Sequence, residues 1–71
     1  MKYYVKLTNT KTGKVLYKWC KTLDTWSPVK DYCWRFSKQG AQRIVKRLQT
    51  IAEHSGLDHL HYSIEEVEND A

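Results

Sequence analysis

The chain has 71 residues, 41% of them hydrophobic and 13% aromatic, and a net charge of +4. That is the length of one domain, with little room for a deep catalytic cleft. No apolar run approaches the roughly 18 residues a membrane helix needs, so no membrane span is expected. Three Trp lie among the aromatics, and aromatic side chains bury the most area per residue, so a small core is feasible without a staple.

The start, MKYYVKLTN, lacks the apolar core and small-residue cleavage site of a secretory signal, which sets a cytoplasmic location as the expectation. It also alternates. Tyr3, Val5 and Leu7 point one way and Tyr4, Lys6 and Thr8 the other, the pattern of a half-buried strand. A polar turn follows, with Gly13 free to take positive φ. Then KVLYKWCK alternates again, with Val15, Tyr17 and Trp19 on one face.

Pairing Leu7 with Val15, Val5 with Tyr17 and Tyr3 with Trp19 gathers six large residues on one side of a hairpin. Its loop then has five residues, Asn9 to Gly13. A one-residue slip would bring Lys18 opposite Val5 on the buried face, at the cost of burying a charge, so the first register is expected.

TLDTWSPVKDYC interrupts the alternation. Pro28 cannot donate to a ladder, and residues 22–33 read as a loop. Ser37 is suited to cap a helix over about Lys38 to His54. Within it Ala41, Ile44, Val45, Leu48, Ile51 and Ala52 span an arc of roughly 120°. Gly56 suits the helix end. In LHYSIEEVE, Leu60, Tyr62 and Ile64 alternate with His61, Ser63 and Glu65 as a third strand, and Val67 falls out of phase. The acidic tail, about 68–71, should fray.

The order β-β-α-β makes a single small α+β domain over residues 1–71. Its three-stranded antiparallel sheet has order 2-1-3, with the helix on one face and the other face open. Ile44, Val45, Leu48 and Ile51 are expected to pack on Val5, Tyr17 and Tyr62, with Trp19 in the core. Size and element order resemble small accessory proteins of phages and mobile elements, and the three-stranded-sheet-plus-helix domains of some integrases. The likeness is one of shape and length and implies no site residues.

Charge is unevenly distributed. Residues 1–50 hold all twelve basic residues and two acids, Asp24 and Asp31, for +10; residues 51–71 hold six acids, for −6. On the helix, Arg43, Lys46 and Arg47 lie away from the apolar arc, with Arg35 and Lys38 near its start and no acid between Lys38 and Glu53. With Lys6 and Lys18 they form a candidate set for nucleic-acid phosphates. The plain alternative is a solvated helix back, although such faces usually mix signs.

Tyr4, Lys6, Lys14, Leu16, Lys18, His59, His61 and Ser63 would share the open sheet face. There Tyr4 and Leu16, with the loop tryptophans Trp26 and Trp34, form a second candidate set, for a protein partner. The long edge of strand 2 could equally serve a partner or a homodimer.

Cys20 and Cys33 are too few for a disulfide framework and are expected free and packed. Their spacing, with His54, His59 and His61, does not match a zinc site, and no metal or other cofactor is expected. No nucleophile–base–orienter motif appears, and no catalytic residue is assigned. The expectation is a non-catalytic binding domain for nucleic acid, or else for protein.

Overall fold

The computed structural model describes residues 1–68, so the tail expected to fray lies outside the described residues except for Glu68, which is exposed. The strands are β1 (Tyr3–Asn9), β2 (Val15–Lys18), β3 (Trp26–Ser27) and β4 (Leu60–Glu66), with one helix, α1 (Lys38–His54). A short 3-10 turn spans Lys30–Tyr32. The sheet is antiparallel with order β3-β2-β1-β4. The expected neighbours β2, β1 and β4 are adjacent as read, and β3 is an added edge strand cut from the segment assigned to loop.

α1 has the expected limits and ends. The Ser37 hydroxyl accepts from the Gly40 amide at 3.2 Å. At the other end Gly56, at φ 72°, closes a Schellman turn in which Leu57 N donates to the Ala52 carbonyl and Gly56 N to that of Glu53. Its buried line is Ala41, Leu48 and Ala52, flanked by half-buried Ile44 and Val45. Ile51, expected in the core, is 53% exposed, because it lies at the edge of the apolar arc.

The hairpin register differs from expectation, and this changes both sheet faces. Lys6 pairs with Tyr17, Leu7 with Leu16 and Thr8 with Val15. The cause is the turn. Asn9 N donates to the Lys14 carbonyl and Gly13 N to that of Asn9, closing a loop one residue shorter than expected. The Asn9 side chain pins it by accepting from the amides of Lys11 and Thr12. Gly13 sits at φ 75°, where a glycine is favoured.

Carried along the strands, this register sets Lys18 level with Val5, the arrangement that seemed costly. Lys18 is indeed buried, 2% exposed. Its Nζ donates to the Leu23 carbonyl at 2.6 Å and to Asp24 Oδ1 at 3.1 Å, so the charge is paired.

Under α1 the core is Val5, Phe36 and Ala41, with Tyr3, Trp26, Ile44, Val45 and Ile64 packed around them. Tyr17 is not there. It faces away from the helix with Tyr4, edge to face at a centroid distance of 5.6 Å, and both pack with Cys33. The face expected to be open is therefore partly covered by the segment between β3 and α1. That segment crosses beneath the sheet and rises between the diverging ends of β1 and β2. There Trp34 N donates to the Trp19 carbonyl, while Phe36 and Tyr3 exchange two 2.7 Å backbone bonds. Trp19, expected in the core, is turned outward and 51% exposed.

Candidate functional site

The expected residues are dispersed by the register and by the crossing segment. Lys18 is buried with Asp24. Arg47 also turns to Asp24, at 3.8 Å. Lys6 lies on the far sheet face, 3.7 Å from Glu65. That carboxylate also accepts from Lys30 at 3.1 Å and from the Tyr17 hydroxyl at 3.2 Å. Burial pulls the Glu65 carboxyl upward, but Lys30, the Tyr17 hydroxyl and Lys6 together outweigh it and leave the group below its ordinary range. Burial and the same carboxylate push the Tyr17 hydroxyl up. Of these three, Lys18 is buried in its pair, whereas Lys6 and Arg47 are paired but still reach solvent.

The protein-binding set changes in the same way. Tyr4 is buried under Cys33. Leu16 faces the helix side and is half-buried. Trp26 packs on Tyr62 with centroids 5.8 Å apart. Of that set only Trp34 is exposed, at 46%. The edge of β2 is paired with β3 and offers no open ladder there. The long outer strand is β4, where the Gln49 amide bonds both the Leu60 carbonyl and the Tyr62 amide and closes part of the edge.

Asp24 and Glu65 account for all four ion pairs among the described residues. The other eight basic residues have no described acid within 4.0 Å. Four of these eight converge. Lys2, Lys21, Arg35 and Arg43 line one groove of about 460 Å³ together with Trp34, Phe36, Ser37, Gly40 and Ile44, and no acid among the described residues lines it.

Each arrives from a different piece of chain. Lys2 precedes β1, Lys21 follows β2, Arg35 sits on the crossing segment, and Arg43 is on the first half of α1. Lys21 Nζ stands 5.9 Å from the Trp34 ring centroid, and the Arg35 guanidinium 5.7 Å from that of Tyr4. Lys38 and Lys46 are exposed on α1 but outside this groove. Lys46 borders a second groove with Gln42, Gln49 and Glu53, beside Ile64.

No family model, curated protein or solved structure matches the chain. The site therefore rests on its own geometry. The sequence points to Arg35, Arg43 and Trp34 but not to Lys2 or Lys21, which sit at the ends of the two alternating segments, where the pattern assigns them no role. Only the joining of Trp34 to Trp19 and of Phe36 to Tyr3 places them together.

A third, smaller hollow is lined by Trp19, Cys20, Leu23, Thr25 and Trp26. Contacts from the backbones of Thr22 and Leu23 bring the Cys20 thiol down to about 7, whereas burial pushes that of Cys33 up. Both thiols are free. No three His, Cys, Asp or Glu side chains converge as a metal site among the described residues, and no described helix is long and apolar enough to cross a membrane.

Proposed function

We propose that this chain is a small non-catalytic domain that binds nucleic acid through the groove of Lys2, Lys21, Arg35 and Arg43. The observation that carries the reading is the convergence on one groove of four cations that have no acid near them among the described residues. Unpaired cations on one surface attract a polyanion and are the general source of phosphate affinity. The remaining cations of the expected helix face, Lys38 and Lys46, strengthen the positive field without lining the groove.

The test is charge reversal at two places with the same change in net charge. Lys21→Glu with Arg43→Glu should abolish retention of DNA or RNA at about 50 mM salt. Lys11→Glu with Lys14→Glu changes net charge equally, in the hairpin turn at the opposite end of β1, and should leave most retention intact. Equal losses in the two variants would show that only net charge matters, and the groove reading would fail.

A second reading is a protein-binding accessory, supported by the exposure of Trp19 and Trp34 beside each other's backbone. A partner held that way would stay bound as salt rises, unlike a phosphate ligand.

A further inference from the structure

We infer that the strand this groove takes is single-stranded, with one base stacked on Trp34 while its flanking phosphates meet Lys21, Arg35 and Arg43. The inference rests on the nucleic-acid reading and specifies its ligand class. Trp34 is the decisive residue. Its indole lines the basic groove instead of the core, and it is 46% exposed in a small chain that would gain stability by burying it. Its position does not depend on the ring, because the backbone bond to Trp19 fixes the main chain.

Lys21 stands at the ring, 5.9 Å from its centroid, so an aromatic surface and a phosphate-binding charge occur within one nucleotide's reach. Bases inside a duplex are stacked on each other and have no free face for an indole. An unpaired base has one, and stacking on an aromatic ring is tolerant of base identity. Trp19, 51% exposed and joined to Trp34 through the backbone, lines the separate hollow with Cys20 and Leu23, so Trp34 is the ring of this groove.

The experiment compares three fluorescent probes of about ten nucleotides, a typical site size for small single-strand binders. They are an oligothymidylate, an abasic strand with the same phosphates, and a duplex. The native protein should prefer the oligothymidylate to both others. Trp34→Ala should weaken oligothymidylate binding about 5- to 100-fold and leave abasic-strand binding unchanged. Trp34→Phe should restore most of the loss, because a ring remains.

Duplex binding as tight as single-strand binding, or equal binding of the abasic strand, would overturn the inference while leaving the phosphate reading in place. Failure of the native protein to bind any of the three probes would overturn both. The preference of the native protein among the probes decides the matter even if Trp34→Ala does not fold.

Discussion

Lys18 shows how one side chain fixes the use of both sheet faces. Its ammonium lies on the helix side of the sheet and has two partners from the loop after β2, the Leu23 carbonyl and Asp24. Alternation alone counts such a lysine against the register, because it does not reveal that an acid six residues later folds back to meet it. The pair is unequal, since Lys18 is buried and Asp24 exposed. The two partners should therefore respond differently to removal. Asp24→Ala leaves a buried ammonium with a single carbonyl and takes away the contact to Arg47. It should lower stability by about 1–3 kcal/mol. Lys18→Met keeps the aliphatic volume and removes the charge, and should come within about 1 kcal/mol of the native protein or exceed it. Urea denaturation of both variants checks the order. A Lys18→Met protein clearly less stable than Asp24→Ala would mean that the charge itself holds the register.

Helix α1 divides its apolar arc between a packed line and an exposed margin. Leu48 is buried on the line, and Ile51 lies at the edge. Leu48→Ala should cost about 2–5 kcal/mol. Ile51→Ala, a change of similar size in the same turn, should cost under about 0.5 kcal/mol, as at a surface position. Denaturant midpoints measured together would show this contrast, and similar losses would mean that the helix is rotated from the orientation described. The limits of α1 were legible in the sequence because Ser37 and Gly56 act locally on adjacent backbone groups. β1 and β4 were legible because seven residues give several repeats of the alternation. β3 was not, since two residues before Pro28 carry no period, and its pairing is with Lys18 and Tyr17 rather than with anything nearby in sequence. The hairpin register turned on whether its loop held four residues or five. Both put large side chains together, so hydrophobic pattern could not separate them. The covered far face followed from that choice, because Tyr4 and Tyr17 share a face only in the observed register.

Charge is organised over the chain so that two acids pair with four bases and eight bases are left without a described partner. Two of the helix residues chosen from the sequence, Lys38 and Lys46, belong to these eight but not to the groove, and Arg47 belongs to neither. Sequence reading found the basic half of the chain and only part of the site, because helical phase shows which residues face outward and not which loops face them. The salt dependence of binding can distinguish the groove from the whole basic surface. For a single strand the logarithm of affinity falls with the logarithm of salt at a slope of about −0.7 per phosphate neutralised. Four groove cations give a slope of about −3, an affinity loss of about 60-fold between 50 and 200 mM salt. All eight unpaired bases acting together would give a slope of roughly −6 and a loss beyond a thousandfold over the same range. The expected result is the shallower slope, with Arg43→Ala lowering it by about 0.7 and Lys14→Ala leaving it unchanged. Fluorescence anisotropy of a labelled oligothymidylate at four or more salt concentrations (about 50 to 300 mM) measures it. A slope near −6 that falls equally for both variants would assign binding to the diffuse field of the basic half. A slope near zero would leave the exposed tryptophans, and a protein partner, as the better account of this surface.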